Sequence, residues 1–301
     1  MMAAAATCEW RGELRHDVPM AEYNSWHAGG RARRFYQPAD LDDLCAFLRG
    51  LEEDEPLLWL GLGSNLLVRD GGFPGTVIYT FGALTMLEWL NERTLRAGSG
   101  VTCSKVARSA AKAGLVGVEF LAGIPGTVGG ALAMNAGAFG GETWRHVQAV
   151  ETVDRAGRLH TRPPADYRIG YRTVTGPADE WFVAACLELE PGDAQAAHER
   201  IRQLLAHRNT TQPTQQYSCG SVFRNPPGDH AARLIEAAGL KGAAVGGARV
   251  SEKHANFIIN TGTATAADLE LLINRVQGRV EQAYGVRLEP EVRISGERPT
   301  L

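Results

Sequence analysis

The sequence has no cysteine pair at the C-x-x-C spacing of a structural zinc site, and its five cysteines are scattered along the 301 residues. An odd number of dispersed cysteines argues against a disulfide scaffold and is typical of a reducing compartment, so we expect a cytoplasmic protein. Histidines are also few, and no second histidine lies at metal-ligand spacing from His254. We therefore expect no metal site.

Charge of one sign is not concentrated anywhere in the chain. The 31 lysines and arginines nearly balance the 34 aspartates and glutamates, which gives a net charge of −3 without a basic block. This pattern excludes the electrostatic footprint of a nucleic-acid-binding protein and a polybasic membrane anchor. The N-terminal residues 1–17 lack the basic region of a signal peptide. We expect small-molecule partners, no nucleic acid, no membrane insertion, and a monomer.

Three common motifs of nucleotide and acyl-transfer sites are missing. The segment "LGLGSNLLV" at 60–68 lacks the third glycine of G-x-G-x-x-G, no Gly-Lys-Ser/Thr of a P-loop occurs, and no G-x-S-x-G marks a serine nucleophile. The segment still places Gly61, Gly63 and Ser64 in a turn between two apolar runs. That turn is either a plain β-turn or a source of N–H and O–H donors for a phosphate.

The longest uncharged stretch is "FLAGIPGTVGGALAMNAGAFGG", the 22 residues 120–141. Its length suits a membrane span, but its seven glycines and five alanines do not. Pro125 and the pair Gly129–Gly130 are expected to break a helix here. Such a segment is either a tightly packed turn or a loop whose backbone approaches a ligand, usually a phosphate. Two glycine-rich loops, at 61–65 and 123–130, favour donors that converge on one pyrophosphate.

Hydrophobic spacing predicts helices and strands without a strict βαβ order. Helices are predicted at 40–51, with Asp40 as the N-cap, and at 102–114, 193–209, 229–239 and 266–284. Strands are predicted within 56–81, separated by glycine turns, and at 147–153, 181–189, 255–260 and 286–294. The polar, proline-containing stretch 210–227 is predicted to be an extended loop. A composition shift near 190–215 indicates a domain boundary.

Three short segments carry polar groups suited to chemistry. In "YSCGSVFRNPPG" (217–228), Ser221 follows a glycine and precedes an Arg-Asn pair, so it is either a turn serine or a hydroxyl positioned beside a cation. The segment "RIGYRTV" (168–174) places Arg172 on a strand-like stretch, and "LEPEVRIS" (288–295) alternates glutamate and arginine on one face. Taken singly, the last two segments are also explained as exposed strand faces with an ion pair.

These segments occur together and in order in one known family. They are "NSWHAGGRA" (24–32), "LGLGSNLLVRDGGFPGTVI" (60–78), "GVEFLAGIPGTVGGALAMNAGAFGGE" (117–142), "GYR" (170–172), "CGSVFRNP" (219–226), "LIEAAGLKGAAVGGARVSEKHANFIIN" (234–260) and "PEVRI" (290–294). In these seven segments the chain resembles the UDP-N-acetylenolpyruvoylglucosamine reductase family, which catalyses the second step of peptidoglycan precursor synthesis.

The resemblance implies an α+β protein. Residues 1–200 are expected to form a FAD-binding fold of the vanillyl-alcohol-oxidase and p-cresol-methylhydroxylase type, with two α+β subdomains near 1–82 and 83–200. Residues 201–285 would form an α+β substrate-binding domain, and 286–301 a C-terminal strand that returns to the active site. The implied cofactor is non-covalent FAD. NADPH is the implied co-substrate in the reduction of UDP-N-acetylglucosamine enolpyruvate to UDP-N-acetylmuramate.

The resemblance also assigns binding residues. The implied FAD contacts are Gly61, Leu62, Gly63, Ser64, Asn65, Leu66, Gly123, Ile124, Pro125, Gly126, Thr127, Gly129, Gly130, Asn135 and Gly137. The implied contacts to the UDP-sugar are Tyr171, Arg208, Arg224, Asn225 and His254.

Three side chains are implied as catalytic. In the family's reaction a hydride from NADPH passes through FAD to C3 of the enolpyruvyl group, and C2 takes a proton. Arg172 would bind the substrate carboxylate with its guanidinium fork, and Glu291 would polarise the same group. Glu291 can donate a hydrogen bond there only when it is protonated, so we expect a raised pKa in a closed site. Ser221 would deliver the proton.

The chain departs from the family pattern in three ways. Arg224 stands where lysine is usual, which keeps the charge but changes its geometry. Val174 stands where many members have serine. No counterpart of one subgroup's long, tyrosine-bearing insertion occurs between 172 and 219, so the chain resembles the shorter subgroup.

Two other functions are compatible with a nucleotide-binding chain of this kind. One is an oxidase of the same flavin fold that acts on an alcohol or a sugar. Such an enzyme would lack the Arg–Ser–Glu set, and it often carries a covalent flavin link, for which no obvious attachment motif is present. The other is a non-catalytic nucleotide-binding protein. A yellow protein that NADPH bleaches, and that the enolpyruvyl sugar then reoxidises, would distinguish the reductase from both.

Overall fold

The structure is a computed structural model that describes residues 10–299. Residues 1–9, with Cys8 and much of the stretch considered as a signal peptide, lie outside the described residues, as do 300–301. Every helix between residues 10 and 299 is too short or too polar to cross a lipid bilayer.

Helices and strands are both numerous in the described residues. The α-helices are α1 (Leu41–Arg49), α2 (Cys103–Lys112), α3 (Val128–Ala133), α4 (Ala194–Thr211), α5 (Ala231–Ala237) and α6 (Ala266–Tyr284). The strands are β1 (Glu13–Pro19), β2 (Arg31–Gln37), β3 (Leu57–Leu60), β4 (Leu66–Val68), β5 (Phe73–Tyr79), β6 (Leu87–Trp89), β7 (Thr94–Gly98), β8 (Leu115–Val116), β9 (Gly137–Ala138), β10 (Gly141–Glu142), β11 (Val147–Asp154), β12 (Leu159–Arg162), β13 (Arg168–Gly170), β14 (Thr173–Thr175), β15 (Glu180–Glu188), β16 (Glu190–Pro191), β17 (Ala244–Val245), β18 (Ala248–Val250), β19 (Ile258–Asn260) and β20 (Arg293–Ser295).

Side-chain caps accept backbone N–H groups at the first turns of α1 and α6. Asp40 precedes α1 and its carboxylate accepts the N–H of Asp43 at 2.9 Å, as the sequence predicts. Thr265 and Asp268 form a reciprocal capping box at the start of α6. A left-handed glycine, Gly285 at φ 68°, ends that helix.

A second carboxylate also serves the start of α6. Asp70 accepts the N–H of Ala266 at 3.0 Å and that of Ala267 at 2.8 Å. These are two of the N–H groups that a helix leaves without an internal acceptor. The turn after β4 is therefore fixed to a helix almost two hundred residues later.

The chain divides into two compact units that do not follow chain order. Unit 1 comprises the residues up to Arg15, then Arg34–Gly61 and Gly75–His198. Unit 2 comprises His16–Arg33, Leu62–Pro74 and the chain from Glu199 onward. The boundary between the units therefore falls in the turn between β3 and β4, with Gly61 in unit 1 and Leu62 in unit 2.

Unit 1 contains two main sheets. One has the order β1–β2–β5–β3, and the unit boundary falls within β1, β2 and β5. The other is antiparallel, in the order β12–β11–β15–β7–β6. Leu44 and Phe47 of α1 share a buried cluster with Ile78 of β5 and with Val153 and Val183 of the second sheet. Helix α3 packs against β7 and β15 of that sheet, which places the glycine-rich segment on its surface.

Unit 2 is built around one buried cluster that draws on all three of its chain segments. Trp26 comes from the first, Leu67 from the second, and the side chains of α5, α6, β18 and β19 from the third. The indole N–H of the fully buried Trp26 donates to the carbonyl of Ile258 at 2.7 Å. Strands β17, β18 and β19 form an antiparallel sheet, and β4 pairs in parallel with β20.

Two of the sequence-based predictions are wrong. The strand predicted at 286–294 is limited to Arg293–Ser295, because Pro290 has no N–H and residues 289–292 make only single bonds to 222–224. The glycine pair that was expected to break a helix lies inside α3. A Cβ at Gly129 would lie 2.9 Å from the Cβ of Ser99, so the close packing of this short helix requires glycine there.

Candidate active site

The two glycine-rich loops meet at Thr127, within unit 1. A Cβ at Gly61 would lie 2.3 Å from Thr127 Oγ1, so the backbone of the first loop runs directly over this side chain. Thr127 and Ser99 are each 1% exposed, and within residues 10–299 neither hydroxyl has a hydrogen-bond partner. Buried hydroxyls are normally satisfied. Two unsatisfied ones beside glycines fit the polar part of a bound cofactor such as FAD.

The backbone amides of the second loop are partly used by the protein itself. The N–H of Val128 donates to Val101 O at 2.8 Å, and that of Gly129 to Ser99 O at 2.9 Å. Gly130 is exposed, and a Cβ there would meet nothing nearer than Thr127 Oγ1 at 3.9 Å. Ser99 is not among the residues predicted from the sequence. It stands between Gly98 and Gly100, and a serine next to glycine also occurs in the first loop at Gly63–Ser64.

The sequence-predicted Arg172 lies at the tip of the hairpin between β13 and β14, also in unit 1. Its φ of 54° is unusual for a residue other than glycine. The Nη2 of Arg172 donates to Gly137 O at 2.7 Å, and Nη1 approaches Asn135 O at 3.5 Å. A Cβ at Gly137 would lie 3.0 Å from Nη1 and 2.5 Å from Gly141 O. The end of the glycine-rich segment therefore sets the plane of this guanidinium.

Asn135 has a structural task in the same place. Its side-chain amide donates to Gly170 O at 3.1 Å, and its Oδ1 accepts the N–H of Trp144 at 3.2 Å. The side chain of Tyr171 is 46% exposed, and the guanidinium of Arg172 lies 5.1 Å from the centre of its ring. Asn135 and Gly137, which the resemblance assigns to FAD, thus hold the Arg172 hairpin.

Unit 2 joins the segments that carry Asn65, Ser221 and Glu291. The side-chain amide of Asn65 donates to Glu291 O at 3.0 Å, and Asn65 O accepts the N–H of Arg293 at 3.0 Å. The N–H of Glu291 donates to Val222 O at 2.7 Å, one residue after Ser221. These hydrogen bonds place Asn65 next to Glu291, although the two residues are 226 positions apart in the chain.

The thiol of Cys219 holds the loop that contains Gly63 by hydrogen bonds to its backbone. Its buried thiol donates to Leu66 O at 3.5 Å and to Gly63 O at 3.7 Å, and Gly63 O also accepts the N–H of Ser25. Burial raises the pKa of Cys219 to about 12, so the thiol stays protonated and unreactive. Cys219 is therefore a packing residue of this loop. The described cysteines Cys45, Cys103, Cys186 and Cys219 are all free thiols.

Two residues assigned to the substrate already have partners in unit 2. The N–H of Arg224 donates to Glu289 O at 2.9 Å, and its guanidinium lies 3.8 Å from the exposed carboxylate of Glu289. Asn225 Oδ1 accepts the N–H of Ala231 at 3.1 Å, at the start of α5. Both contacts hold the chain that follows Ser221.

Arg208 lies on the wall of a cleft of about 880 Å³ in unit 2. The cleft is lined by residues from the end of α4, the loop 213–216, and the chain around β18, including Arg249, Glu252 and Lys253. Burial lowers the pKa of Arg208, which nevertheless remains a cation. Three cations face one carboxylate there, so we call it the cationic cleft.

His254 follows the lining residue Lys253. Burial lowers the pKa of its imidazole below 6.5, so the ring is mainly neutral near pH 7. Its Nδ1 accepts the N–H of Asn256 at 3.3 Å. Among residues 10–299 there is no group of three or more histidine, cysteine, aspartate or glutamate side chains arranged to hold a metal ion.

Comparisons with known proteins cover almost the whole chain. Residues 32–162 match the family model "FAD binding domain", and residues 212–295 match "UDP-N-acetylenolpyruvoylglucosamine reductase, C-terminal domain". UDP-N-acetylenolpyruvoylglucosamine reductase of Alkalilimnicola ehrlichii is 64% identical over 99% of both chains. The enzyme of the same name from Methylococcus capsulatus is 61% identical over 98% of this chain and 97% of its own.

The fold agrees with a solved structure. The crystal structure of UDP-N-acetylenolpyruvylglucosamine reductase from Thermus caldophilus superposes with a TM-score of 0.81 at 34% identity, over 94% of this chain and 98% of that one. The predicted α+β class, a FAD-binding domain with a C-terminal domain of this family, is thereby confirmed. The chain belongs to the UDP-N-acetylenolpyruvoylglucosamine reductase family of FAD-dependent oxidoreductases.

Proposed function

We propose that this protein uses FAD and NADPH to reduce UDP-N-acetylglucosamine enolpyruvate to UDP-N-acetylmuramate in the cytoplasm, for peptidoglycan precursor synthesis. The observation that carries the proposal is the pairing of the Ser221 and Glu291 segments, since Glu291 N–H donates to Val222 O at 2.7 Å. A hydroxyl and a carboxyl carried by adjacent, hydrogen-bonded segments suit a reaction that needs a proton and a hydrogen bond to developing negative charge.

The residues around Thr127 are suited to hold part of FAD. The unsatisfied hydroxyls of Ser99 and Thr127, and the close approach of Gly61 to Thr127, would hold a polar part of FAD. Bound FAD would supply the redox chemistry, the transfer of a hydride from NADPH to C3 of the enolpyruvyl group.

The protein's own side chains would bind the substrate carboxylate and supply the proton. Negative charge develops on the substrate carboxylate as the double bond is reduced. Arg172, whose plane is set by the carbonyls of Gly137 and Asn135, would bind that carboxylate through paired N–H donors. Glu291, in its protonated form, would donate a hydrogen bond to the same group. Ser221 would transfer its proton to C2.

A redox titration without oxygen tests this function. The purified protein is expected to be yellow, NADPH to bleach it, and the enolpyruvyl sugar to restore the oxidised spectrum. UDP-N-acetylglucosamine is the matched control, because it lacks the enolpyruvyl double bond that is reduced. Bleaching without reoxidation by the enolpyruvyl sugar would contradict the proposal. In a separate assay in air, bleaching of the flavin by an alcohol followed by rapid reoxidation by oxygen would favour the oxidase instead.

We also propose that the cationic cleft binds the phosphates of the nucleotide, because Arg208, Arg249 and Lys253 outnumber Glu252 there. An Arg249→Glu variant replaces attraction with repulsion at an exposed position. We expect KM for the UDP-sugar to rise roughly three- to tenfold at low salt, with a smaller effect at high salt. Arg279→Glu, on the exposed face of α6, is the control. An unchanged KM in the Arg249 variant would remove the cleft from the substrate site.

A further inference from the structure

The backbone that follows Ser221 is held from two sides within unit 2. On one side, the N–H of Glu291 donates to Val222 O, and the N–H of Arg224 donates to Glu289 O. On the other side, the N–H of Val222 donates to the backbone carbonyl of Asn256 at 2.8 Å. The segment that follows Ser221 therefore lies between the Glu291 segment and the chain around Asn256, and single backbone hydrogen bonds join it to each.

The side chain of Asn256 completes the second side. Its Oδ1 accepts the N–H of Phe223 at 3.0 Å, and its Nδ2 donates to Phe223 O at 2.8 Å. A carboxamide carries one acceptor and one pair of donors, so here it pairs with Phe223 as a backbone peptide of a neighbouring strand would. Asn256 is 4% exposed and Phe223 is 1% exposed, so water cannot easily replace these bonds.

We propose that Asn256 is a positioning residue for the proton-transfer step. It holds Val222 and Phe223, and through Val222 it sets Ser221 relative to Glu291. This inference rests on the proposed function, in which Ser221 and Glu291 act on the enolpyruvyl group. In this proposal the reduction of FAD by NADPH needs no proton from Ser221, so we expect it to be independent of Asn256.

Asn256→Asp tests this role with little change in shape. The aspartate can still accept the N–H of Phe223, but its second oxygen faces Phe223 O, where a donor is required. We expect reoxidation of the flavin by the enolpyruvyl sugar to slow by about 10- to 100-fold, because small displacements of a catalytic group have effects of that size. Bleaching by NADPH is expected to keep its rate. A larger D2O solvent isotope effect on reoxidation is expected as proton transfer becomes limiting.

Asn260→Asp is the matched control. Asn260 is also a buried amide of unit 2, and it donates to Trp26 O at 2.8 Å while accepting the N–H groups of Gly262 and Ala264. The same loss of one donor there is expected to lower the melting temperature without slowing reoxidation selectively. If Asn256→Asp is purified without flavin, Asn256→Ser, which keeps one hydrogen-bonding group, is measured in the same way.

The outcomes separate the two proposals. Selective slowing of reoxidation in the Asn256 variant, absent in the Asn260 variant, supports the positioning role. Equal slowing of both half-reactions, or no change in either, overturns it while leaving the proposed function intact. Failure of the parent enzyme to be reoxidised by the enolpyruvyl sugar overturns the proposed function itself.

Discussion

A Ser221→Ala variant is expected to keep the bleaching of the flavin by NADPH at its normal rate, and to lose reoxidation by the enolpyruvyl sugar by about 10²–10⁴-fold. The reason is that the hydroxyl is needed only when C2 takes its proton. A serine hydroxyl is a weak acid near neutral pH, so its transfer depends on a strongly basic carbon and on accurate positioning. Stopped-flow absorbance of the flavin, in each half-reaction separately, gives both rates.

The control for this variant lies three residues earlier. Ser218→Ala removes a hydroxyl from the same segment, and both half-reactions are expected to remain normal. The Ser221 assignment fails if reoxidation in Ser221→Ala proceeds at the parent rate. It fails equally if both half-reactions slow together, because that result indicates a general disturbance of the segment.

Arg172→Lys is expected to lower kcat/KM for the enolpyruvyl sugar by about 10- to 100-fold, the size of effect expected when one of two hydrogen bonds to a charged group is lost. Lysine keeps the charge but has no planar fork. It therefore cannot use the geometry that the carbonyls of Gly137 and Asn135 impose on the guanidinium. Steady-state kinetics with the enolpyruvyl sugar, together with the rate of bleaching by NADPH, give the result.

Arg168→Lys is the comparison, since Arg168 is an exposed residue of the same hairpin. We expect it to keep parental kinetics. A similar kcat/KM for Arg172→Lys and the parent would show that a point charge is sufficient, and that the fork geometry is irrelevant to carboxylate binding.

Long periodic elements could be predicted from the sequence because their signals are local. The apolar spacing of α1 and α6 lies within each helix, and the predicted cap Asp40 directly precedes α1. The strand at 286–294 shows the limit of this reasoning. Its alternation is real, but Pro290 cannot continue a ladder, and regular pairing with β4 begins only at Arg293.

The candidate site was predictable only in part, for a related reason. Ser221, Arg172 and Glu291 stand in segments with a specific residue pattern. Asn256 is hydrogen-bonded to Val222 and Phe223, and Ser99 lies against Gly129, so the neighbours of each residue in sequence give little indication of these contacts. The N–H groups of Val128 and Gly129 donate to Val101 O and Ser99 O, and these hydrogen bonds also depend on packing between α3 and the chain at 99–101. Tertiary contacts of this kind are not encoded in local spacing.

Unit 2 is formed by three separate segments of the chain, which limits how it can be produced as a fragment. A fragment that starts at Glu199 would lack Trp26 and Leu67 from its apolar interior, and it would lose the partner strand of β20. The first turn of α6 would also lose both acceptor oxygens of Asp70. Expression of unit 2 by simple truncation is therefore a poor strategy. Circular permutation or a graft of the segments His16–Arg33 and Leu62–Pro74 would be needed to obtain it as an independent protein.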